Sequence, residues 1–212
     1  MDIKKLPNYL CIFRIVLAPI IVFIMLYSSI ISNIFPFSLS KGTAFGDYLI
    51  NNLDVDNSLS IIIAGVLFIL AILTDAIDGF IARKYEAISD KGKMLDPLAD
   101  KILIIGVMLA FFLLLNVYEQ KVMILPIIVI IIREIIVTVL RRFAKKKGVF
   151  VAASIWGKVK TVSQTIALII YFFAFFVHFP IYGNVALIAA SIITFISLFP
   201  YLFKFKKILT IK

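Results

Sequence analysis

The sequence predicts an all-α integral membrane protein with six transmembrane helices and both termini in the cytoplasm. Three observations carry that prediction. First, 63% of the 212 residues are hydrophobic and the mean hydropathy is +1.11, whereas a soluble globular domain has roughly 45–50% apolar residues. Second, apolar stretches of ~18 residues or more, long enough to cross a bilayer, follow one another with short gaps. Third, basic residues crowd every second connection, as the positive-inside rule requires.

Residues 1–8 form a short interfacial segment carrying Lys4 and Lys5, ahead of a first span at about 9–31. The lysine-then-apolar shape resembles a signal peptide. The apolar run is too long for one, however, and no small-residue cleavage site follows, so a retained span is expected. The loop from Ser32 to Ser58 has one lysine, Lys41, against Asp47, Asp54 and Asp56, and belongs outside. The second span, about 59–82, leads through Arg83, Lys84, Lys91 and Lys93 to the third, about 94–115. A nearly neutral turn near Glu119 precedes the fourth span, about 122–140, and then come Arg141, Arg142, Lys145, Lys146 and Lys147. The fifth span, about 154–177, and the sixth, about 182–203, flank a short turn at His178, and Lys204, Lys206, Lys207 and Lys212 follow. Pro19 and Pro126 are tolerable in such helices and mark kinks. Residues 1–212 read as one membrane domain without an internal repeat.

Several features need no functional explanation. The formal net charge of +10 sits beside apolar segments and suits anionic headgroups, so nucleic acid is not an expected partner. The single cysteine, Cys11, excludes an internal disulfide and any cysteine-based zinc site, and should pack as a small apolar residue. His178, the only histidine, reads as an outer interfacial residue. Tyr27, Trp156 and Tyr201 fall where aromatic belts are expected.

The stretch LTDAIDGFIARKYEAISDKGKMLDPLADK, residues 73–101, does need one. On a helix, Asp75, Asp78, Gly79 and Ala82 share one stripe, at offsets of three, four and seven. Asp96 and Asp100 are four apart on one face of the next span, with Pro97 suited to its first turn. The short connection brings the two stripes to one membrane depth. At ~4 Å and an effective dielectric of about 20, each close carboxylate pair would cost roughly 4 kcal/mol. Divalent cations would offset that repulsion, and oxygen-only ligands favour Mg²⁺, Mn²⁺ or Ca²⁺ over zinc. Any one of these aspartates could be a helix-end residue paired with Arg83, Lys84, Lys93 or Lys101. Four at these spacings, with the two smallest side chains on the same stripe, point to a site. A cation transporter could also carry intramembrane acids, but the outer halves of these spans are nearly all apolar.

The pattern D-x2-D-G-x2-A-R-x8-G-x3-D-x3-D is met by Asp75, Asp78, Gly79, Ala82, Arg83, Gly92, Asp96 and Asp100. It resembles the signature of the CDP-alcohol phosphatidyltransferases. The resemblance implies a six-helix membrane enzyme, usually a homodimer, that uses two divalent cations to displace CMP from a CDP-linked lipid or alcohol. It also implies that Asp75, Asp78 and Asp96 ligate the metals, and that Asp100 contributes to the metal site and acts as general base. Gly79 and Ala82 would leave room for the cytidine, and Arg83 would add positive charge beside the nucleotide. Asn8 and Arg14, in the opening LPNYLCIFRIVLAP, would touch the nucleotide or lipid phosphate; snorkelling to the interface is the other reading of Arg14.

The acceptor alcohol must be read elsewhere. Span four holds IIREIIVTVLRRFAKKKG and span five begins SIWGKVKTVSQT. Arg133 and Arg141, with Lys158 and Lys160 from the next span, could form a pocket for an anionic acceptor. A pair between Arg133 and the adjacent Glu134 is not expected, because neighbouring helical residues do not face each other. Arg142 and Lys145 to Lys147 read as a positive-inside anchor. The motifs R-E-x6-L-R and G-K-x-K-T, with the opening segment, are similar to the bacterial branch of the family that joins CDP-diacylglycerol to sn-glycerol 3-phosphate. Other acceptors in the family are phosphatidylglycerol, inositol phosphate and serine. Members of that branch commonly have threonine where this chain has Cys11. A bacterial cytoplasmic membrane, with the site facing the cytoplasm, is the location implied.

Overall fold

The computed structural model describes residues 6–34, 55–84, 90–115, 117–147, 155–177 and 179–210. All regular structure among them is helical: α1 Leu6–Ile34, α2 Val55–Lys84, α3 Asp90–Leu114, α4 Val117–Lys146, α5 Ile155–Phe176, α6 Pro180–Ile196 and α7 Phe199–Thr210. Five stretches of the described residues are long and apolar enough to cross a membrane, and α3 covers the expected third span. Only 28–39% of each of those five stretches is buried. Large side chains such as Phe23, Val66, Leu125 and Phe173 point outward, the pattern of a multi-pass protein whose outer solvent is hydrocarbon. Residues 35–54 of the loop predicted outside, the Lys4–Lys5 segment and His178 lie outside the described residues, while the two ends of that loop continue α1 to Ile34 and begin α2 at Val55.

The chain divides into two compact units, residues 1–114 and 115–212. In the first, α1 packs against both α2 and α3. Its core mixes large and very small residues: Cys11, Ala18, Ile21 and Met25 on α1, Ala64, Phe68 and Ala71 on α2, and Ala99, Val107 and Phe111 on α3. Small residues let membrane helices approach closely. At Gly106 a Cβ would stand 3.2 Å from the Val22 side chain of α1. Cys11 is buried, as expected of a small apolar residue.

In the second unit α5 packs on α6, and α4 packs on α6 and α7. Two buried hydrogen bonds tie α5 to α6. Gln164 Nε2 donates to Thr194 Oγ1 at 2.9 Å, and the Tyr171 hydroxyl donates to Asn184 Oδ1 at 2.8 Å. Gly183 is what lets Tyr171 lie flat, since a Cβ there would come within 2.5 Å of the ring.

The expected sixth span is two helices rather than one. Pro200 has no N–H to give the carbonyl of Ile196, so the helical ladder cannot continue through it. The backbone tightens instead, with Leu198 N–H bonding the Phe195 carbonyl at 3.0 Å and Tyr201 N–H bonding that of Leu198 at 3.0 Å. The break aims two residues inward. Ser197 is fully buried and Tyr201 is 3% exposed, whereas Tyr27 and Trp156 are 48% and 49% exposed. Tyr201 is therefore not a belt residue; Tyr27 and Trp156 keep that reading.

Candidate functional site

Two polar clusters stand out, one in each unit. In the first, the guanidinium of Arg14 on α1 gathers carboxylates from both neighbouring helices. Its Nη1 donates to Asp75 on α2 and to Asp100 on α3, the latter at 2.7 Å, and its Nη2 donates to Asp78 Oδ2 at 2.5 Å. Arg14 is fully buried and Asp78 nearly so, while Asp75 and Asp100 are partly exposed. The helical spacing explains the set: Asp75 and Asp78 lie one turn apart on the face of α2 that meets α1. Arg14 does not snorkel away from this point. Its Nε is buried with no hydrogen-bond partner among the described residues.

Three carboxylates thus share one guanidinium at this point. Among the described residues no three acids, histidines or cysteines close into a metal cage. The donor set nevertheless suits a hard divalent cation, being all oxygen. Gly79 adjoins Asp78, and a Cβ there would meet nothing within 4 Å; the α2 stripe is open beside its acids. The side chains of Asn8, Ala82, Arg83 and Asp96 lie outside the described residues.

The second cluster joins three of the four predicted cations. Lys160 Nζ on α5 donates to Glu134 Oε1 at 2.5 Å, and Arg133 Nη1 on α4 donates to the same oxygen at 3.1 Å. The Arg133–Glu134 pair thus forms, against expectation. Adjacent helical residues diverge at Cβ, but two long side chains can fold together when a third group, here Lys160, draws the carboxylate inward. Arg133 Nε donates to Ser197 Oγ at 3.1 Å, and Arg141 Nη2 donates to the Tyr201 hydroxyl at 2.7 Å. Arg133 Nη2 is buried without a partner among the described residues. Lys158 is exposed and lies about 200° round α5 from Lys160, so the structure does not bring it to this cluster. Glu134, Ser197 and Tyr201 were missed from sequence. The available signals were the embedded acid of R-E and the proline that breaks the last span.

The family model for CDP-alcohol phosphatidyltransferase matches residues 4–197. The chain belongs to the CDP-alcohol phosphatidyltransferase family. Members of this family generally depend on divalent cations. Among curated members, the chain is similar to three proteins named CDP-diacylglycerol--glycerol-3-phosphate 3-phosphatidyltransferase. It is 38% identical to that of Mycoplasma pneumoniae over 173 residues, covering 81% of this chain and 69% of that protein. It is 34% identical to that of Rickettsia felis over 208 residues, covering 96% and 97%. With that of Bacillus subtilis it shares 35% identity over 207 residues, 94% of each chain. The matched region includes both clusters described above, apart from Tyr201.

Proposed function

We propose that this protein is a phosphatidylglycerophosphate synthase, transferring the phosphatidyl group of CDP-diacylglycerol to sn-glycerol 3-phosphate and releasing CMP. The convergence of three carboxylates from two helices on one buried guanidinium carries the reading, and the named relatives support the choice of substrates.

In the step itself, the acceptor hydroxyl oxygen forms a bond to the lipid-side phosphorus. The bond from that phosphorus to the bridging oxygen breaks, and CMP leaves with its electron pair. Asp100 takes the hydroxyl proton. Arg14 fixes that carboxylate by holding Oδ1 at 2.7 Å, so the base is oriented before substrate arrives. Asp75, Asp78 and Asp96, with a contribution from Asp100, would hold two divalent cations, Mg²⁺ or Mn²⁺, whose role is to neutralise charge on the pyrophosphate. Asn8, Arg14 and Arg83 complete the nucleotide and lipid-phosphate contacts, and Gly79 and Ala82 give the cytidine room.

Arg133, Arg141 and Lys160 bind the acceptor phosphate. That cluster gathers three cations and one carboxylate, Glu134, a composition that suits a phosphate. An uncharged acceptor such as serine would not need it. The single domain of residues 1–212 works as a homodimer, with six spans, in the bacterial cytoplasmic membrane and its site facing the cytoplasm; the family resemblance and the alternation of basic connections support this.

The test is a CMP-release assay on purified protein with CDP-diacylglycerol, Mg²⁺ or Mn²⁺, and a panel of acceptors, the products identified by mass. Phosphatidylglycerophosphate formed only with glycerol 3-phosphate is the expected result. Turnover of another acceptor with glycerol 3-phosphate inert would overturn the assignment.

A further inference from the structure

The residues flanking the helix break do more than end a span. We propose that Tyr201, with Ser197, is a positioning residue that holds Arg133 and Arg141 as a fixed pair for the acceptor phosphate; this rests on the acceptor reading above. Tyr201 touches both arginines. The guanidinium carbons of Arg133 and Arg141 lie 5.4 and 5.1 Å from its ring centroid, within the range of cation–π attraction. Its hydroxyl also accepts from Arg141 Nη2 at 2.7 Å. One buried side chain therefore engages two cations two helical turns apart on α4.

Ser197 completes the constraint. Its hydroxyl proton goes to the Thr194 carbonyl at 2.6 Å, which turns the oxygen's lone pairs toward Arg133 Nε at 3.1 Å. Glu134 takes Nη1 at 3.1 Å. Each of these acceptors uses a different nitrogen of Arg133. What remains is Nη2, buried and unpartnered among the described residues. A buried N–H group without an acceptor is costly unless something arrives to accept from it. An oxygen of the acceptor phosphate supplies that partner, and the arginine needs no reordering to meet it.

Arginine is a long side chain, and left loose it would lose that freedom at the moment of binding. Tyr201 and Ser197 remove the freedom in advance. The pair sits on either side of the Pro200 break, so a straight helix would turn Ser197 and Tyr201 onto a single four-residue stripe and alter their reach to α4. The effect should therefore fall on glycerol 3-phosphate and spare the CDP-lipid.

The experiment compares Tyr201→Phe, Tyr201→Leu and Ser197→Ala with Arg133→Ala and Arg141→Ala, measuring KM for each substrate and kcat separately. Tyr201→Phe keeps the ring and removes the hydroxyl, so it reports positioning even if Tyr201→Leu fails to fold. It should raise the glycerol 3-phosphate KM about tenfold, with the CDP-diacylglycerol KM unchanged. The double variant Tyr201→Phe/Arg141→Ala should be no worse than Arg141→Ala, because the tyrosine acts through the arginine. Equal changes in both KM values, or full additivity in the double variant, would reduce Tyr201 to packing and overturn the proposal. If both arginine variants leave the glycerol 3-phosphate KM unchanged, the acceptor pocket itself is wrong and the proposal falls with it. If they raise it and Tyr201→Phe does not, only the role of Tyr201 is lost.

Discussion

Gly79→Ala should make the protein more stable and a poorer enzyme. Gly79 lies within α2, where glycine is less favourable than alanine by about 0.5–1 kcal/mol. A methyl at this position meets nothing within 4 Å, so no packing strain opposes the gain. For a chain of this size, ~1 kcal/mol corresponds to a rise in Tm of about 2–4 °C. The same methyl would project beside Asp75 and Asp78, into the space assigned to the cytidine. Intrusion into a well-packed contact costs typically ~1–3 kcal/mol, or roughly 5- to 150-fold in KM for CDP-diacylglycerol. Thermal unfolding in detergent and initial-rate CMP release at varied CDP-diacylglycerol measure the two effects independently. Opposite signs are the expected result, with the glycerol 3-phosphate KM unmoved. A stabilised variant with unchanged CDP-lipid KM would show that the nucleotide does not lie against this face of α2.

Further outcomes follow from the same contacts. Asn in place of Asp75, Asp78 or Asp96 should lower metal-dependent CMP release by at least about 10³-fold, and near-normal rates would sink the metal assignment. Asp100→Asn should lose a comparable factor in kcat while nucleotide binding, measured by CMP inhibition, is retained. Arg14→Ala should destabilise the protein by about 3 kcal/mol, the low end for a broken buried pair because Asp75 and Asp100 are partly exposed. Added Mg²⁺ should restore more of its Tm than it adds to the parent protein, and equal Mg²⁺ effects on both would refute the charge argument. Gly183→Ala drives a Cβ to within 2.5 Å of the buried Tyr171 ring and should cost about 2–4 kcal/mol in thermal unfolding. Gln164→Leu, which removes one interhelical hydrogen bond, should cost only about 0.6 kcal/mol.

The carboxylate site was legible because it is local. Asp75, Asp78 and Gly79 share a stripe through helical periodicity alone, and a short connection keeps the start of α3 near the end of α2, both helices packing on α1. What was not legible is the partner: nothing in the spacing says that Arg14, sixty-one residues before Asp75, is the group they meet. The cationic cluster shows the same division. Arg133 announced itself as a charge in an apolar run, and Arg141 and Lys160 as cations near it at the ends of neighbouring spans. The exclusion of Lys158 could have been read from its two-residue offset, since that turns it to the opposite side of a helix. Glu134 looked unable to reach Arg133 because only pairwise spacing was weighed, and the third member, Lys160, lies twenty-six residues on. Tyr201 looked like a belt residue because its depth follows from Pro200, whose effect on the last span depends on which helix covers the break.

That break also settles a problem of solvation. The seventeen residues of α6 span about 26 Å at 1.5 Å per residue, short of a hydrocarbon core of ~30 Å. Backbone groups freed at the interruption after Ile196 therefore need partners from the protein wherever they face lipid. Beside them Ser197 binds the Thr194 carbonyl and receives Arg133. A buried arginine and a broken helix are each expensive in oil. Set side by side, each supplies the polar surroundings the other lacks, so substitutions that straighten the helix and those that remove the arginine should be better tolerated together than apart.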